Sequence, residues 1–335
     1  MPHIQYIHAY EDIISLDNLL GAWKEFVRGK RGRSDVQDFQ LHLFDNLDSL
    51  HEDLEKKIYQ HGGYESFKVN DPKPRDIHKA CVRDRVLHRA LYRTLYPFFD
   101  CLFTTDSFSC RNDKGTHKAM DRFKAFGYKA SRNRTCTAWV LKGDIRKFFA
   151  SIDHGVLLDI LSHYILDDDI IWLINEIVSS FNSTKAGVGL PLGNLTSQLL
   201  TNVYMNEFDQ FIKHELKMKY YIRYADDFVV MSNNRDQLAE IIRKLQEYLF
   251  DNLKLTIHPD KIYIKTIASG IDYLGWVHFP DHRVLRTTTK RRMFRNLKEK
   301  KSKVETVQSY LGLLKHGNAH KLEERIKEIS SGKIL

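Results

Sequence analysis

The stretch YIRYADDFVVM, residues 221–231, is the part of the sequence that decides the fold. Apolar residues on both sides of its acidic pair predict two strands, over residues 220–224 and 228–232, joined by a turn. Asp226 and Asp227 stand side by side at this turn, where their like charges repel and a bound cation would stabilise them. Adjacent aspartates are also common in ordinary turns, so the hairpin alone does not define a site.

A second acidic residue follows an apolar strand in VLKGDIRKFF, residues 140–149. Residues 138–141 predict a short strand, and Asp144 stands at its end. If both strands belong to one sheet, Asp144 and Asp226 lie side by side and could hold two magnesium ions about 3.5–4 Å apart. Such a pair of ions activates a 3′-hydroxyl group and stabilises a leaving pyrophosphate. The joint pattern is much rarer than either acid alone.

The composition favours a soluble protein with a polyanionic partner. The 335 residues carry a formal net charge of +9 and are 42% apolar, which is enough for a sizeable core in two or three lobes. The basic balance favours nucleic acid or an anionic membrane as the partner. The sequence has no apolar run of the ~18 residues that a membrane span needs, and it does not open with a secretory signal, so we expect a cytoplasmic protein. Four cysteines without CxxC spacing support neither a disulfide framework nor a zinc site.

Helical and strand patterns mix along the chain, which predicts an α+β fold. Apolar residues recur at helical spacing over residues 1–70. The prolines within residues 71–74 end any helix, and a strand over 75–79 and a helix over 84–99 follow. Further along the chain strands alternate with helices, one of which is a long amphipathic helix over residues 196–219.

Two basic runs interrupt these patterns. RGKRGR, residues 28–33, is interpreted equally well as a solvated turn and as a nucleic-acid contact. The second run, from Arg283 to Lys303, predicts a helical stretch with almost no acidic side chains. Its single sign favours contact with a nucleic-acid backbone over a solvated helix face. The side chains expected to make that contact are Arg291, Arg292, Arg295 and Lys298.

Six motifs in the expected order make the sequence resemble the reverse transcriptases. YADD at Tyr224–Asp227 matches the family's YxDD signature, and residues 144–149 match its first palm motif. GLPLGNLTSQ, residues 189–198, matches the motif between them. The remaining matches are Lys73 and Arg75 with Asp84-Arg85, the segment from Ser107 to His117, and YLGW at residues 273–276.

One of these motifs also indicates a subtype. Most reverse transcriptases carry QGxxxSP where this chain has LGNLTSQ, residues 192–198. The loss of the glutamine, at Leu192, and the change from SP to SQ resemble the enzymes of diversity-generating retroelements. Those enzymes copy a template RNA with frequent errors at adenines and so diversify a target gene. We therefore expect mutagenic retrohoming, with Leu192 unable to make the polar contact that a glutamine makes near the incoming nucleotide.

The resemblance also implies roles at the acidic centre. Asp144 and Asp226 would be the ligands that bridge two Mg²⁺ ions, with the carbonyl of Ile145 as a further oxygen ligand. Asp227 would be an auxiliary acid. Lys261 matches a lysine that protonates pyrophosphate in such enzymes, although a surface lysine is an equal interpretation.

Other residues are expected to bind the nucleotide. Arg75, with Lys73, would bind the triphosphate, because a guanidinium group forms paired hydrogen bonds with phosphate oxygens. Phe149 would exclude a 2′-hydroxyl group, with a core position as the alternative. Gly193 would let the backbone approach the nascent base pair.

The complete interpretation is a right-hand polymerase with an antiparallel-sheet palm. Its predicted regions are an N-terminal helical region at 1–70, fingers at 71–135, a palm at 136–282 and a basic helical thumb at 283–335. It would be a prokaryotic or phage-encoded RNA-directed DNA polymerase that uses a template RNA, a primer or cDNA strand and dNTPs. The resemblance adds a small basic oligomeric accessory protein as a partner.

Three alternatives stay open from the sequence. The first is another prokaryotic reverse transcriptase, of the phage-defence, retron or group II type. The second is an RNA-dependent RNA polymerase, against which Phe149 argues. The third is a catalytically silent RNA-binding scaffold, against which Asp144, Asp226 and Asp227 argue.

Overall fold

The protein is an α+β chain that divides into two units. The computed structural model describes residues 4–70, 74–299 and 304–330. The first unit comprises Met1–Thr105, Ile145–Glu215 and Leu245–Ile257, and the second comprises Asp106–Asp144, Leu216–Lys244 and His258–Leu335. None of the described helices is both long enough and apolar enough to cross a membrane.

Helices and antiparallel strands make up both units. The helices are α1 Tyr10–Ile14, α2 Leu16–Phe26, α3 Ser34–Leu41, α4 Leu43–Glu55, α5 Val82–Leu102, α6 Thr116–Ala130, α7 His154–Ser162, α8 Asp168–Ser179, α9 Leu195–Gln210, α10 Arg235–Leu253, α11 Thr287–Glu299, α12 Val304–Leu314 and α13 His320–Ser330. The strands are β1 Tyr64–Val69, β2 Arg75–Ala80, β3 Trp139–Asp144, β4 Tyr220–Tyr224, β5 Asp227–Ser232, β6 Tyr263–Thr266, β7 Ile271–Tyr273, β8 Trp276–His278 and β9 Arg283–Leu285.

The first unit is built around α5, which packs against α2 and α9. Apolar residues of α5 such as Val86, Ala90 and Leu91 are fully buried, as the helical spacing predicts. The hairpin β1–β2 belongs to the same unit, and its register pairs Val69 with Arg75. The predicted helix over 196–219 is too long, because α9 ends at Gln210 and a π-helical turn, Phe211–Glu215, follows it.

The second unit contains the sheet that carries the acidic hairpin. Its strand order is β4-β5-β3-β6, with every neighbouring pair antiparallel. Helix α6 packs against β4 and β5. Phe123 and Phe126 of α6 share one apolar core with Val140, Ile222 and Val229 of the sheet. The two central strands, β3 and β5, are therefore held in place from one face by α6.

A close approach between β3 and β5 requires a glycine. Gly143 is the register partner of Phe228, and a Cβ atom added to Gly143 would overlap the Phe228 ring. The Phe228 ring occupies the space that a side chain at position 143, directly before Asp144, would need. The packing at this end of the sheet therefore depends on glycine at this position.

The predicted basic helix from Arg283 onwards is wrong at its start, because the helix begins only at Thr287. Arg283 begins the short strand β9, which pairs with β8, and only α11 onwards is helical. Arg283 forms a salt bridge with Asp121 at 3.3 Å, and Nε of Arg286 donates to Asp272 at 2.7 Å. These two arginines are therefore paired with acids from other elements, which the one-sign sequence pattern did not indicate.

Candidate active site

The three acids predicted to be catalytic lie at one end of the β3–β5 pair. Asp144 is the last residue of β3, Asp227 is the first residue of β5, and the antiparallel register makes them direct partners. Asp226 precedes Asp227 in the two-residue connection from β4, where Ala225 has a φ of +56°. A left-handed residue at this point closes the tight turn. The strand pairing thus brings together acids that are distant in the sequence.

Two lysines neutralise this end of the sheet. Nζ of Lys261 donates to Oδ1 of Asp144 at 2.6 Å, and Nζ of Lys142 lies 3.2 Å from Oδ2 of Asp227. The amide of His258 also donates to the carbonyl of Asp144 at 2.8 Å, which fixes the segment that carries Lys261 beside β3. Lys261 is therefore the counter-ion of Asp144 in this conformation, and its contact with pyrophosphate stays a prediction.

Asp227 has an unusual protonation equilibrium. Burial raises the pKa of its carboxyl group from 3.8 to about 7, against the favourable charge and hydrogen bond of Lys142. The negative charges of Asp226 and Asp144 raise this pKa further. Oδ1 of Asp227 is buried and has no hydrogen-bond partner within the described ranges. An added positive charge at this end of the sheet would therefore favour the ionised carboxylate.

The acids fit a divalent cation by their chemistry. Carboxylate oxygens are the ligands that Mg²⁺ prefers, and the unpartnered Oδ1 of Asp227 and the mutual repulsion of the three acids both favour a bound cation. In the described part of the chain, no three His, Cys, Asp or Glu side chains already surround a common metal position. Lys142 and Lys261 hold two of the carboxylates instead. Ile145, the further predicted ligand, forms a bridge with Ile257, and its carbonyl stays a predicted ligand.

Of the residues predicted to contact the nucleotide, Arg75, Phe149, Leu192 and Gly193 belong to the first unit. The amide of His78 in β2 donates to the carbonyl of Leu192 at 3.0 Å, and the Asn194 side chain donates to the carbonyl of His78 at 3.2 Å. The motif around Leu192 is therefore fixed against the strand that begins with the exposed Arg75. Lys73 lies outside the described residues.

The backbone conformation and the packing at position 193 both require glycine. Its φ is +108°, and a Cβ atom would lie 2.9 Å from Cγ2 of Ile77. The close contact with β2 thus explains this glycine, and the predicted approach to a base pair stays a prediction.

The two phenylalanines after Asp144 have different environments. Phe148 is buried, as expected for a core residue, whereas Phe149 is only half-buried and packs edge-to-face against it. The amide of Leu190 donates to the carbonyl of Phe149 at 2.8 Å. Phe149 is therefore fixed at the backbone while part of its ring stays accessible, which is compatible with the predicted contact to a sugar.

The predicted nucleic-acid contacts lie on α11. Arg291 and Arg295 are exposed and Arg292 is half-buried. Lys298 belongs to the same helix. The opposite face of α11 buries Met293 and Leu297 in the core shared with α12 and α13.

Two residues near the acids were not predicted from the sequence. Lys142 binds Asp227, and Arg223, which is fully buried in β4, donates to the carbonyl of Ala225 at 3.2 Å and to the Ser107 hydroxyl at 3.1 Å. Arg223 thereby supports the acidic turn from behind. A charged residue inside an apolar strand is the signal that could have identified each of them.

Searches for similar proteins returned several relatives. The chain is 26% identical over 243 residues to Protein YkfC of Escherichia coli, covering 61% of either chain. It is 22% identical over 329 residues to the group II intron-encoded protein LtrA of Lactococcus lactis, covering 75% of this chain and 53% of that one. The chain thus spans less than two thirds of these relatives. Among solved structures, apo telomerase from Candida tropicalis matches 65% of this chain and 47% of that one with a TM-score of 0.47 and 12% identity.

A family model accounts for most of the motifs described above. The model of the reverse transcriptase (RNA-dependent DNA polymerase) matches residues 68–278, which is more than half of the chain. The matched range includes Asp144, Asp226 and Asp227, the strand β2 and the segment around Leu192. The predicted α+β right-hand polymerase class is confirmed at the level of the family. The chain therefore belongs to the reverse transcriptase family.

Proposed function

We propose that this protein is an RNA-directed DNA polymerase whose reaction takes place at Asp144, Asp226 and Asp227. The observation that carries the proposal is the β3–β5 register, which sets Asp144 opposite Asp227 with Asp226 in the adjoining turn. A divalent cation bound there would supply Lewis-acid activation of the primer 3′-hydroxyl group and of the leaving pyrophosphate.

The residues of the chain have separate tasks in this proposal. Asp144 and Asp226 would hold the cation, and Asp227, kept in place by Lys142, would adjust the negative charge beside it. Lys261 donates to Asp144 in this structure, and its ammonium group is the proposed proton donor to pyrophosphate. Arg75 binds the triphosphate of the incoming dNTP, and Phe149 excludes a 2′-hydroxyl group.

We further propose that the enzyme is of the diversity-generating type and copies its template RNA with errors at adenines. The support is the leucine at position 192, whose aliphatic side chain cannot orient a nucleotide by hydrogen bonding. Its backbone is fixed by the hydrogen bond from His78. A loss of about 1.4 kcal/mol in discrimination raises an error ratio about tenfold. A small basic oligomeric accessory protein is the partner expected for this subtype.

A specific observation favours a second candidate, a reverse transcriptase of the intron type. LtrA is a group II intron-encoded protein, and it aligns with 75% of this chain. An enzyme of that type would copy adenine as accurately as the other template bases.

The experiment that separates these candidates is the sequencing of cDNA made on a defined RNA template with all four bases. The proposal expects DNA synthesis that requires Mg²⁺, with an excess of errors opposite adenine that falls about tenfold in Leu192→Gln. Leu158→Gln is the matched control, because that half-buried leucine on α7 lies outside the motif. Equal error rates at all four bases would assign the protein to the intron-type candidate, and an absence of cDNA would favour the silent RNA-binding scaffold.

A further inference from the structure

The outer edge of strand β4 is covered by residues 106–108, which belong to the same unit of the protein. The amide of Arg223 donates to the carbonyl of Asp106 at 2.9 Å, and the amide of Phe108 donates to the carbonyl of Arg223 at 3.0 Å. These two hydrogen bonds form a parallel bridge between Ser107 and Arg223. The segment therefore extends the sheet beside the strand that leads into the acidic turn.

Residues 106–108 are themselves anchored to α6. Asp106 is only 2% exposed, and its Oδ1 accepts a hydrogen bond from Nε of Arg122 in α6 at 2.6 Å. The carbonyl of Phe108 accepts from the amide of Gly115, directly before α6 begins, at 3.0 Å. The segment is thus a fixed support for β4, held at both of its ends.

The side chain of Arg223 connects this support with the acidic turn. Its guanidinium group is fully buried, and it donates from Nη1 to the carbonyl of Ala225 at 3.2 Å and from Nη2 to the hydroxyl of Ser107 at 3.1 Å. One guanidinium can serve both acceptors because its donors lie in a single rigid plane. Since a buried charged group has lost its hydration, it depends on these protein partners.

The backbone at Ala225 needs such a support. Its φ of +56° lies in the left-handed region, which residues other than glycine adopt rarely. A strained conformation of this kind persists only where the surrounding structure holds it. The carbonyl of Ala225 belongs to the peptide unit that leads directly into Asp226. A hydrogen bond to this carbonyl therefore fixes the orientation of the backbone at the predicted metal ligand.

We propose that Arg223 is a positioning residue for cation binding, which holds the peptide unit before Asp226 in the orientation that lets Asp226 share a cation with Asp144. Arg223 acts through Ala225 and does not itself touch the cation. The inference rests on the proposed function, because it takes these acids as the cation ligands. Groups that orient metal ligands from behind typically account for about 10- to 100-fold in metal affinity or activity.

Binding of Mn²⁺ tests this proposal without catalysis. Mn²⁺ prefers the same carboxylate and carbonyl ligands as Mg²⁺, and electron paramagnetic resonance of the free ion gives its dissociation constant for the purified protein. Arg223→Met keeps the length of the side chain but removes both donated hydrogen bonds, so it should weaken Mn²⁺ binding about tenfold. Arg223→Lys keeps the charge and one donor group and should recover part of this loss. Ser107→Ala, which removes one acceptor, should weaken binding about twofold.

Ile222→Ala is the matched control for a general loss of stability. Ile222 is the fully buried neighbour of Arg223 in β4, and it packs in the core shared with α6. Alanine at this position lowers the melting temperature by loosening the strand, without removing a hydrogen bond of the turn. Its Mn²⁺ affinity should stay within about twofold of the wild type. Asp226→Asn is the reference for the loss of a ligand itself.

Steady-state kinetics of primer extension give a second, independent measurement. Arg223→Met should lower kcat about tenfold, because the cation is held less well during the reaction. The KM for dNTP should stay within about twofold, since in this proposal Arg223 does not contact the nucleotide. A change in KM with an unchanged kcat would contradict a role through the cation.

The outcomes separate this inference from the proposed function. Wild-type Mn²⁺ affinity in Arg223→Met, with a loss in Asp226→Asn, would overturn the inference and leave the proposed function intact. Equal losses in Arg223→Met and Ile222→Ala would reduce the role of Arg223 to stability and would also overturn it. Equal affinity in Asp226→Asn and the wild type would instead contradict the assignment of the cation to these acids. If Arg223→Met does not fold, Arg223→Lys and Ser107→Ala decide, and unchanged affinity in both would overturn the inference.

Discussion

The acidic end of the β3–β5 pair carries a charge opposite to that of a cavity in the first unit, which is lined by Lys30, Arg33 and three further basic side chains. The two regions are compensated differently. At the acidic end, Lys261 and Lys142 each contact one carboxylate, so the chain supplies its own counter-ions. In the cavity, Lys30 and Arg33 have no salt bridge in the described chain. The proposed cation would compete with these lysines for the carboxylates, whereas Lys30 and Arg33 have no carboxylate partner among the described residues. The same density of charge thus leaves different residual charges, depending on which partners the fold brings into contact.

The largest expected effect is that of Asp226→Asn on catalysis. Removing a metal ligand should lower primer extension on an RNA template by about a thousandfold or more, because the stabilisation of the reacting oxygens is lost. RNA affinity should stay within about twofold, since the substitution leaves the basic side chains of α11 unchanged. Asp236→Asn, an exposed aspartate at the start of α10, is the control. Extension at the wild-type rate by purified Asp226→Asn protein would refute the assignment of the acids.

The pKa of Asp227 predicts how stability varies with pH. With a pKa of about 7 in the folded protein against an ordinary value of 3.8, protonated Asp227 favours folding at low pH, and this contribution disappears as the pH rises through 7. Without divalent cations, the free energy of unfolding should fall by about 2–3 kcal/mol between about pH 5 and pH 8.

Asp227→Asn should remove most of this fall, because the amide does not titrate, and Asp236→Asn should retain it. Chemical denaturation at each pH gives the comparison. Parallel curves for Asp227→Asn and the wild type would mean that Asp227 does not titrate in this range.

Packing at the acidic end should respond to a single methyl group. Gly143→Ala forces the Phe228 ring to move and should cost about 1–3 kcal/mol of stability. Gly312→Ala in α12 is the matched control: nothing lies within 4 Å of its added Cβ, and alanine should stabilise the helix by about 0.5–1 kcal/mol. Thermal unfolding of both variants measures the difference, and equal effects would contradict the close contact at Gly143.

The smallest effect is expected from the exposed face of α11. Replacing Arg291, Arg292 and Arg295 by glutamine should lower the slope of template-primer affinity against log salt by about 2 to 3. If the slope of affinity against log salt is unchanged in the α11 variant, this face of the helix is solvated and does not contact the nucleic acid.

Much of the catalytic centre could be predicted from local sequence. Asp144 and Asp226 each stand at the end of an apolar strand. An acidic residue in that position can be recognised from the sequence without tertiary information. The strands on either side of the turn and the helix before it were also predicted, because their periodicity extends over several residues. The three-residue strands β7, β8 and β9 were not, since a run that short shows no period.

The sequence by itself determined the family, the acidic residues and the alternation of strands and helices, because these depend on residues that are neighbours along the chain. Only the tertiary structure decided which charges are compensated. Lys261 reaches Asp144 through strand pairing, and Arg283 reaches Asp121 through the contact between β9 and α6. Lys30 joins Arg85 and Arg89 through the packing of α2 on α5. Coulomb interactions depend on the distance between charges in space. The role of RGKRGR, residues 28–33, was therefore ambiguous in the sequence, whereas the fold places its Lys30 and Arg33 in the lining of a cavity.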